Sequence, residues 1–392
     1  MRILYLSPSE PYPGTHAGFT HVHNLIKHLV IEGDQVTLIA GQPEQSNATT
    51  NDEMRPDPIP GLKVHHISSS DPITRNRKLL AKVVSLCKKE QFDLIHERFE
   101  MAGTAGAVAA KLAHLPLVLE VNDPFLELNA QPSFRYPLSL SKQLQFGSAD
   151  ALICQTPQIK QAIWDTSPNT KVYVIPNGAD PDAFPASPLP HTKRIGFMGN
   201  FMPWHGVQHL IQAFSRVQKE DEDTQLLLVG NPGSQKDPIQ RLINELGIDP
   251  EKVIMTGPVP SNMVPTLLSS CRILVAPFAP GEDVIRKDHY AKYGFWWSPI
   301  KLFEYMSLGR PVVAADVGMV SKYLKHAGLT YPTGDIEQLT EKIITFLNDE
   351  PMAREAGGRG RKRIETSYNW RTIAHMTQMA YLNVLEKRDR VV

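Results

Sequence analysis

The sequence predicts an α/β protein built from two doubly wound parallel sheets. Three observations carry this. Short apolar runs alternate with amphipathic stretches along most of the chain, the pattern of strand–helix–strand units. The alternation breaks once, at 177–193, where the opening Asn177-Gly178-Ala179-Asp180 leads into a stretch rich in proline, and then it restarts. The length of 392 residues provides for two domains of ordinary size.

The first half opens with a strand at 2–6 and a loop at 7–18 rich in proline and glycine. A helix follows at 19–32, with Val22, Leu25, Ile26 and Leu29 on one face and Gly33 ending it. Further strands fit 35–40, 63–67, 92–96, 117–121, 151–154 and 171–175. Helices fit 77–89, 102–113, 138–147 and 157–165. After the linker, strands fit 194–198, 225–229, 253–256, 273–277 and 311–315. Helices fit 207–218, 238–246, 264–269, 299–308 and 336–348, and a long amphipathic helix closes the chain at 370–387. The boundaries are therefore 1–178 for a first Rossmann-like domain and 190–369 for a second, with 370–392 as a C-terminal helical segment. In such sheets ligands bind beyond the carboxyl ends of the strands, where the strand order reverses.

The stretch 298–313 concentrates the chemistry. Ser298 is the expected N-cap, Pro299 suits the first helical turn, and Gly309 with Pro311 ends the helix. Leu302, Phe303 and Met306 share one face, and Lys301 with Glu304 is expected to point off the other. A lysine beside a helix N-terminus makes a phosphate site, and a glutamate one turn on can accept hydrogen bonds from sugar hydroxyls. The plain alternative is an exposed lysine with its i,i+3 ion-pair partner.

Composition excludes other classes. Lys+Arg and Asp+Glu both number 41, so there is no basic excess for nucleic acid. Cys87, Cys154 and Cys271 are far apart and form no metal or redox spacing, which suits a reducing compartment. No apolar run approaches a membrane span, and the chain opens directly on a strand rather than a leader. The expectation is a cytoplasmic protein. A basic amphipathic helix over 75–89 leaves peripheral contact with the inner membrane face as a minority reading.

Several segments resemble, in order, the motifs of the retaining GT-B glycosyltransferases of family 4. Ala17-Gly18 with His21-Val22 resembles the glycine-rich loop and first helix. Pro176-Asn177-Gly178-Ala179-Asp180 with Phe184 resembles the segment leaving the first domain. Gly199-Asn200 through Trp204-His205-Gly206 resembles the donor-phosphate loop, and Leu226 to Gly230, Thr256-Gly257 and 298–313 complete the set over nearly the whole chain. The resemblance implies a GT-B fold: two Rossmann-like domains facing a central cleft, with the C-terminal helix crossing back to the first. It implies sugar transfer from a nucleotide sugar to an acceptor hydroxyl, with retention and no essential metal or other cofactor.

Three departures stand out. Asn200 and His205 replace the usual arginine and lysine of the phosphate loop, Trp296 replaces the first of two paired glutamates, and Glu120-Val121-Asn122-Asp123 lacks the histidine common there. The Ser-Pro-Ile-Lys-Leu-Phe-Glu form itself resembles a subgroup pattern.

On this resemblance the donor's diphosphate and nucleotide fall to Gly18, Gly199, Asn200, His205, Gly257, Ser298, Pro299, Ile300, Lys301 and Glu304. His205 as imidazolium would replace the missing lysine, or it caps the next helix. His21, Arg98, Asn122 and Asp123 are the candidates for touching the reacting sugar and acceptor, and no general base is assigned. Each has a plain reading: a core or surface histidine, a loop ion pair of Arg98 with Glu97, or a turn at Asp123-Pro124. The Asp-x-Asp pairs at Asp180 and Asp221 are read as structural, with no metal site. The aromatic segment 280–297 is expected to shape the sugar or acceptor pocket. A sugar-nucleotide epimerase and a non-catalytic sugar-nucleotide-binding protein are the competing readings.

Overall fold

A computed structural model describes residues 1–43, 58–69 and 71–389. The chain forms two compact units: Gly178–Asn369 is the second, and the first combines the described residues up to Asn177 with those from Trp370 onward. In the first unit the order is β1 (Arg2–Pro11), α1 (Ala17–Ile31), β2 (Gln35–Gly41), β3 (Lys63–Ile67), α2 (Pro72–Cys87), β4 (Leu94–Arg98), α3 (Ala105–Ala113), β5 (Leu117–Val121), α4 (Pro132–Ser148), β6 (Ala151–Cys154), α5 (Pro157–Thr166) and β7 (Val172–Val174). The second continues with β8 (Arg194–Met198), α6 (Val207–Glu220), β9 (Gln225–Val229), α7 (Lys236–Glu245), β10 (Val253–Gly257), α8 (Val264–Ser269), β11 (Ile273–Ala276), α9 (Lys287–Tyr293) and α10 (Ile300–Ser307). It ends with β12 (Val312–Ala315), α11 (Val320–Leu324), β13 (Gly328–Tyr331), α12 (Ile336–Asn348) and α13 (Glu350–Ser367), before α14 (Trp370–Asp389) returns to the first unit.

Both sheets are parallel. Their orders are β3-β2-β1-β4-β5-β6-β7 and β10-β9-β8-β11-β12-β13, so the winding reverses between β1 and β4 and between β8 and β11. These are the two switch points at which doubly wound sheets bind ligands.

Side chains alternate across the first sheet. Leu4, Leu6 and Ile95 face one way, into a core with Leu79 and Val83 of α2 and Ala109 of α3. Tyr5 and His96 face the other way and stack at 4.3 Å, and His96 Nδ1 lies 2.6 Å from the Tyr381 hydroxyl of α14. α14 is thus tied to the first unit by a buried polar contact as well as by packing on α1.

Several boundaries differ from the sequence expectation for definable reasons. β1 runs on to Pro11 after an irregularity, pairing Pro11 with Gly41, where a loop was expected. α2 starts earlier because Asp71 caps it through Thr74 N (2.7 Å), and it ends at Cys87, before Lys88 and Lys89. β4 extends through Glu97 and Arg98. α9, α11, α13 and β13 were not anticipated. Charged residues such as Arg354, Arg359, Lys362 and Glu365 mask a narrow buried stripe on α13 at Ala353, Ala356 and Ile364.

The proline-rich linker is held without regular structure. Arg310, fully buried, donates to Ser187 O (2.7 Å), Pro188 O (3.1 Å) and Ser269 O (2.8 Å), and Arg361 donates to Pro181 O (3.1 Å) and Phe184 O (3.0 Å). Arg310→Met is expected to destabilise the protein by about 3 kcal/mol or more, because buried carbonyls lose their donor. Chemical denaturation with secondary structure as the readout checks this.

Candidate functional site

In the second unit the candidate residues gather at the β8–β11 switch point. Gly199 follows β8 with φ 145°, a backbone state costly for side-chain-bearing residues, and its N–H donates to Val229 O (2.9 Å). A Cβ there would lie 2.6 Å from Lys301 Nζ, so glycine is what admits the lysine. Gly206, at φ 68°, turns the chain from Trp204-His205 into α6, where a Cβ would strike Pro277 O at 2.0 Å. The segment after β8 is thereby pressed against the end of β11.

α10 supplies the remainder. Its N-cap position is Pro299 and no side chain caps it, so Ser298 does not play the N-cap role expected from sequence. Ser298 and Ile300 are buried and Pro299 is half-buried at the start of the helix. The Tyr305 hydroxyl lies 2.7 Å from Met198 N, docking α10 onto the end of β8.

Lys301 and Glu304 do not project into solvent, contrary to the sequence expectation; the whole helix is buried and they are 9% and 8% exposed. The ammonium of Lys301 lies 4.5 Å from the ring centroid of Phe197 and 5.7 Å from that of Phe278. Among the described residues it has no hydrogen-bond partner. Burial pulls its pKa down to about 7, Glu304 acting in the opposite sense, and burial pushes Glu304 up to about 7, with Lys301 opposing.

His205 corrects another expectation. Burial first, and then the neighbouring Lys301, hold it well below the usual histidine range, and its Nδ1 is bonded to Asn200 O. It is a neutral imidazole that fixes the loop, not a cation standing in for the missing lysine. Asn200 is exposed. Gly257 lies at the end of β10, where its carbonyl accepts from Gly230 N (3.2 Å).

The aromatic segment forms a wall on the same unit. Trp296 is fully buried and stacks on Tyr290 at 4.3 Å. Trp297 donates to the Tyr290 hydroxyl (2.9 Å) and stacks on Trp204 at 5.9 Å, next to His205.

In the first unit a polar cluster forms at the β1–β4 switch point. Arg98 pairs in register with Glu120, on the face that carries Tyr5 and His96. Glu120, 1% exposed, is its centre. One oxygen is 2.8 Å from His21 Nε2 and 2.9 Å from Gln155 Nε2, and the other is 3.1 Å from the Tyr5 hydroxyl and from His96 Nε2. Burial opposes its charge, but His21, Arg98 and the hydrogen bonds hold the carboxyl well below its usual range.

His21 is buried, and its Nδ1 lies 2.7 Å from Asn177 Oδ1. With its amide turned to satisfy its neighbours, Asn122 donates to Glu120 (2.8 Å) and accepts from Arg98 Nε (3.3 Å). Thus His21, Arg98 and Asn122 come together through a residue the sequence reading did not single out. A lone glutamate inside the apolar strand Leu-Val-Leu-Glu-Val was the signal for it.

Asp123 is buried and caps the following turn through Phe125 N (2.9 Å), the plain reading. Glu97 does not hold Arg98: it lies on the opposite face of β4, accepts from Gly106 N (3.2 Å), and is pushed by burial to about 8. Gly18 lies against the Glu10 carboxylate. Asp180 caps Asp182 N (3.0 Å) and Asp221 caps Asp223 N (3.2 Å). Among the described residues no group of three or more His, Cys, Asp or Glu is arranged to hold a metal ion, and no helix is long and apolar enough to cross a membrane.

The two parallel-sheet units constitute a GT-B fold, and solved structures with it align over the full length. Sucrose-phosphate synthase from Thermosynechococcus elongatus superposes with a TM-score of 0.75 at 18% identity, covering 99% of this chain and 100% of that one. Anabaena HepE in complex with UDP-glucose gives 0.72 at 19% identity, covering 97% and 99%. Residues 18–183 match the model described as Glycosyltransferase Family 4, and residues 192–349 match Glycosyl transferases group 1. An MMP alpha-(1->4)-mannosyltransferase of Mycolicibacterium hassiacum is 24% identical, over 97% of this chain and 98% of that protein. A D-inositol 3-phosphate glycosyltransferase of Corynebacterium glutamicum is 20% identical, over 98% and 96%. Together these matches identify a GT-B glycosyltransferase similar to family 4, of the group that uses nucleotide sugars, and do not favour the epimerase or binding-protein readings.

The buried lysine has a consequence for stability. Its folded pKa of about 7 lies below the ordinary value of 10.5, so the unfolded chain binds the extra proton between these limits. Its destabilising effect is complete below about pH 7 and fades as pH rises toward 10.5. Lys301→Met is therefore expected to stabilise the ligand-free protein at pH 6.5, by about 1–4 kcal/mol, the range for replacing buried charge with apolar volume. The gain should shrink by pH 10. Thermal melts of both proteins at the two pH values check the sign.

Proposed function

We propose that this protein is a retaining, metal-independent glycosyltransferase that moves a sugar from a nucleotide diphosphate sugar to an acceptor hydroxyl. The observation that carries the donor side is the buried, unpartnered ammonium of Lys301 at the β8–β11 switch point, beside the Gly199 turn. A buried cation with no hydrogen-bonded partner is costly, and a diphosphate supplies two negative charges at that point. As the nucleotide leaves, the ammonium stabilises the charge that develops on its phosphates. The open N–H groups of the first turn of α10 add to this. Glu304 offers its carboxyl oxygens as hydrogen-bond acceptors to the nucleotide's ribose.

The sugar passes through an oxocarbenium-like state. Retention follows if the acceptor attacks from the face the nucleotide leaves, with a donor phosphate oxygen taking its proton. His21, Arg98 and Asn122 position the acceptor. The wall of Trp204, Tyr290 and Trp297 borders the sugar, and its alanine variants should raise KM for the donor sugar. Unchanged kinetics in all three would remove that role. HepE was solved with UDP-glucose, which makes uridine nucleotides the first to try.

The test is thermal stabilisation by a panel of nucleotides and nucleotide sugars. A ligand at a hundred times its dissociation constant adds about 2.7 kcal/mol. One nucleotide series is expected to shift the wild type and not Lys301→Ala; equal shifts in both would overturn the assignment of Lys301. Because the ammonium exists below about pH 7, nucleotide-sugar affinity should fall as pH rises from 7 to 9. The limit is about tenfold per unit, read by calorimetry. NMR of the product's anomeric proton tests retention.

A further inference from the structure

The acceptor side of the proposed reaction can be carried further, on the charge arrangement at the β1–β4 switch point. Leu6 pairs with Glu97, so Ser7 and Arg98 come next on adjacent strands, with Glu120 beside Arg98 on β5. Ser7 is fully buried, and its hydroxyl has no partner among the described residues. Arg98, 7% exposed, leaves Nη1 without a hydrogen bond. A buried hydroxyl and a buried guanidinium N–H, both unsatisfied at one switch point, mark a place where a ligand's hydrogen-bonding groups belong.

The charges say what kind of ligand. Arg98 Nη1 is 4.0 Å from Glu120, and its charge, opposed by burial, is favoured by Glu120 and also by Glu10. His21 is 2.8 Å from Glu120, His16 is 3.3 Å from Glu10, and Arg75 is 3.3 Å from Glu100. The two permanent cations here, Arg98 and Arg75, each already face a carboxylate. The N-terminal turn of α1, otherwise a place for an anion, has the Glu10 carboxylate lying against Gly18. A phosphate or carboxylate brought here would meet Glu10 and Glu120 with no uncommitted cation among these groups. A hydroxylated ring can donate to the Glu10 carboxylate, accept from Arg98 Nη1 and exchange hydrogen bonds with the Ser7 hydroxyl.

We propose that this cluster binds a neutral polyol, the hydroxyl face of a sugar or cyclitol ring without an acidic substituent, with Ser7, Glu10 and Arg98 as its contacts. The inference rests on the glycosyltransferase reading for its role as acceptor site, but not for its chemistry.

The test uses the full chain. Binding of glucose and myo-inositol, and of glucose 6-phosphate and myo-inositol 1-phosphate, is measured by saturation-transfer NMR with the nucleotide present. A neutral ring is expected to bind at least about tenfold tighter than its phosphate ester. Glu10→Gln, at a half-buried position that should not perturb folding, is expected to narrow that gap by improving binding of the esters. Preference for the esters, no binding of any ring up to about 100 mM, or an unchanged gap in Glu10→Gln overturns the proposal. Nucleotide-induced thermal shifts on the same samples keep the two readings apart. Loss of those shifts with ring selectivity intact would sink the donor assignment and leave this one standing.

Discussion

The second unit is arranged around an ammonium group that water cannot reach. Lys301 is placed in the first turn of a helix, where the dipole opposes a cation, and is buried over two aromatic rings. Each neighbouring feature serves that placement. Gly199 leaves out the side chain that would collide with it, Tyr305 anchors α10 to the end of β8, and His205 holds the intervening loop while uncharged. Such a group weakens the empty fold. Surrounding packing must offset it, and the buried helix with Leu302, Phe303 and Met306 provides that.

The switch point of the first unit follows the opposite rule. There the buried charges are matched, and Glu120 carries most of the matching. Its strand position is decided by alternation: the same face that brings Tyr5 and His96 under α14 brings Arg98 beside Glu120. A carboxylate with five close hydrogen-bonding neighbours is rigid as well as ionised, so the side chains it touches have few alternative rotamers. Rigidity suits recognition of hydroxyl geometry, whereas an unmatched cation suits an anion whose position matters less than its charge.

How much of this was legible in the sequence varies with the physics. Strands of the parallel sheets were legible because they are buried on both faces and read as unbroken apolar runs, such as Leu226 to Val229. α13 was not, because a helix covering the unit with a stripe of alanine, glycine and one isoleucine has little apolar signal. The exposure of Lys301 and Glu304 was misread because periodicity ranks faces within a helix and says nothing about a helix buried on every side. Glu97 and Arg98 were misjudged by a boundary error of two residues, which turned strand alternation into a loop ion pair.

The neutral state of His205 bears on how the proposed donor site manages without the usual basic pair of its phosphate loop. A second cation next to Lys301 would raise the cost of the empty site, and burial already excludes the charged imidazole. The loop's contribution is then geometric. His205 bonds to the Asn200 carbonyl, its ring contacts Trp204, and Gly206 turns the chain into α6 against Pro277. One buried lysine of low pKa, rather than two solvated cations, makes the site's charge depend on its occupant: the diphosphate itself favours the proton that Lys301 otherwise gives up near neutral pH. On that reading donor binding takes up a proton, and the departure from the family's basic loop is a change in how charge is supplied rather than a loss of the site.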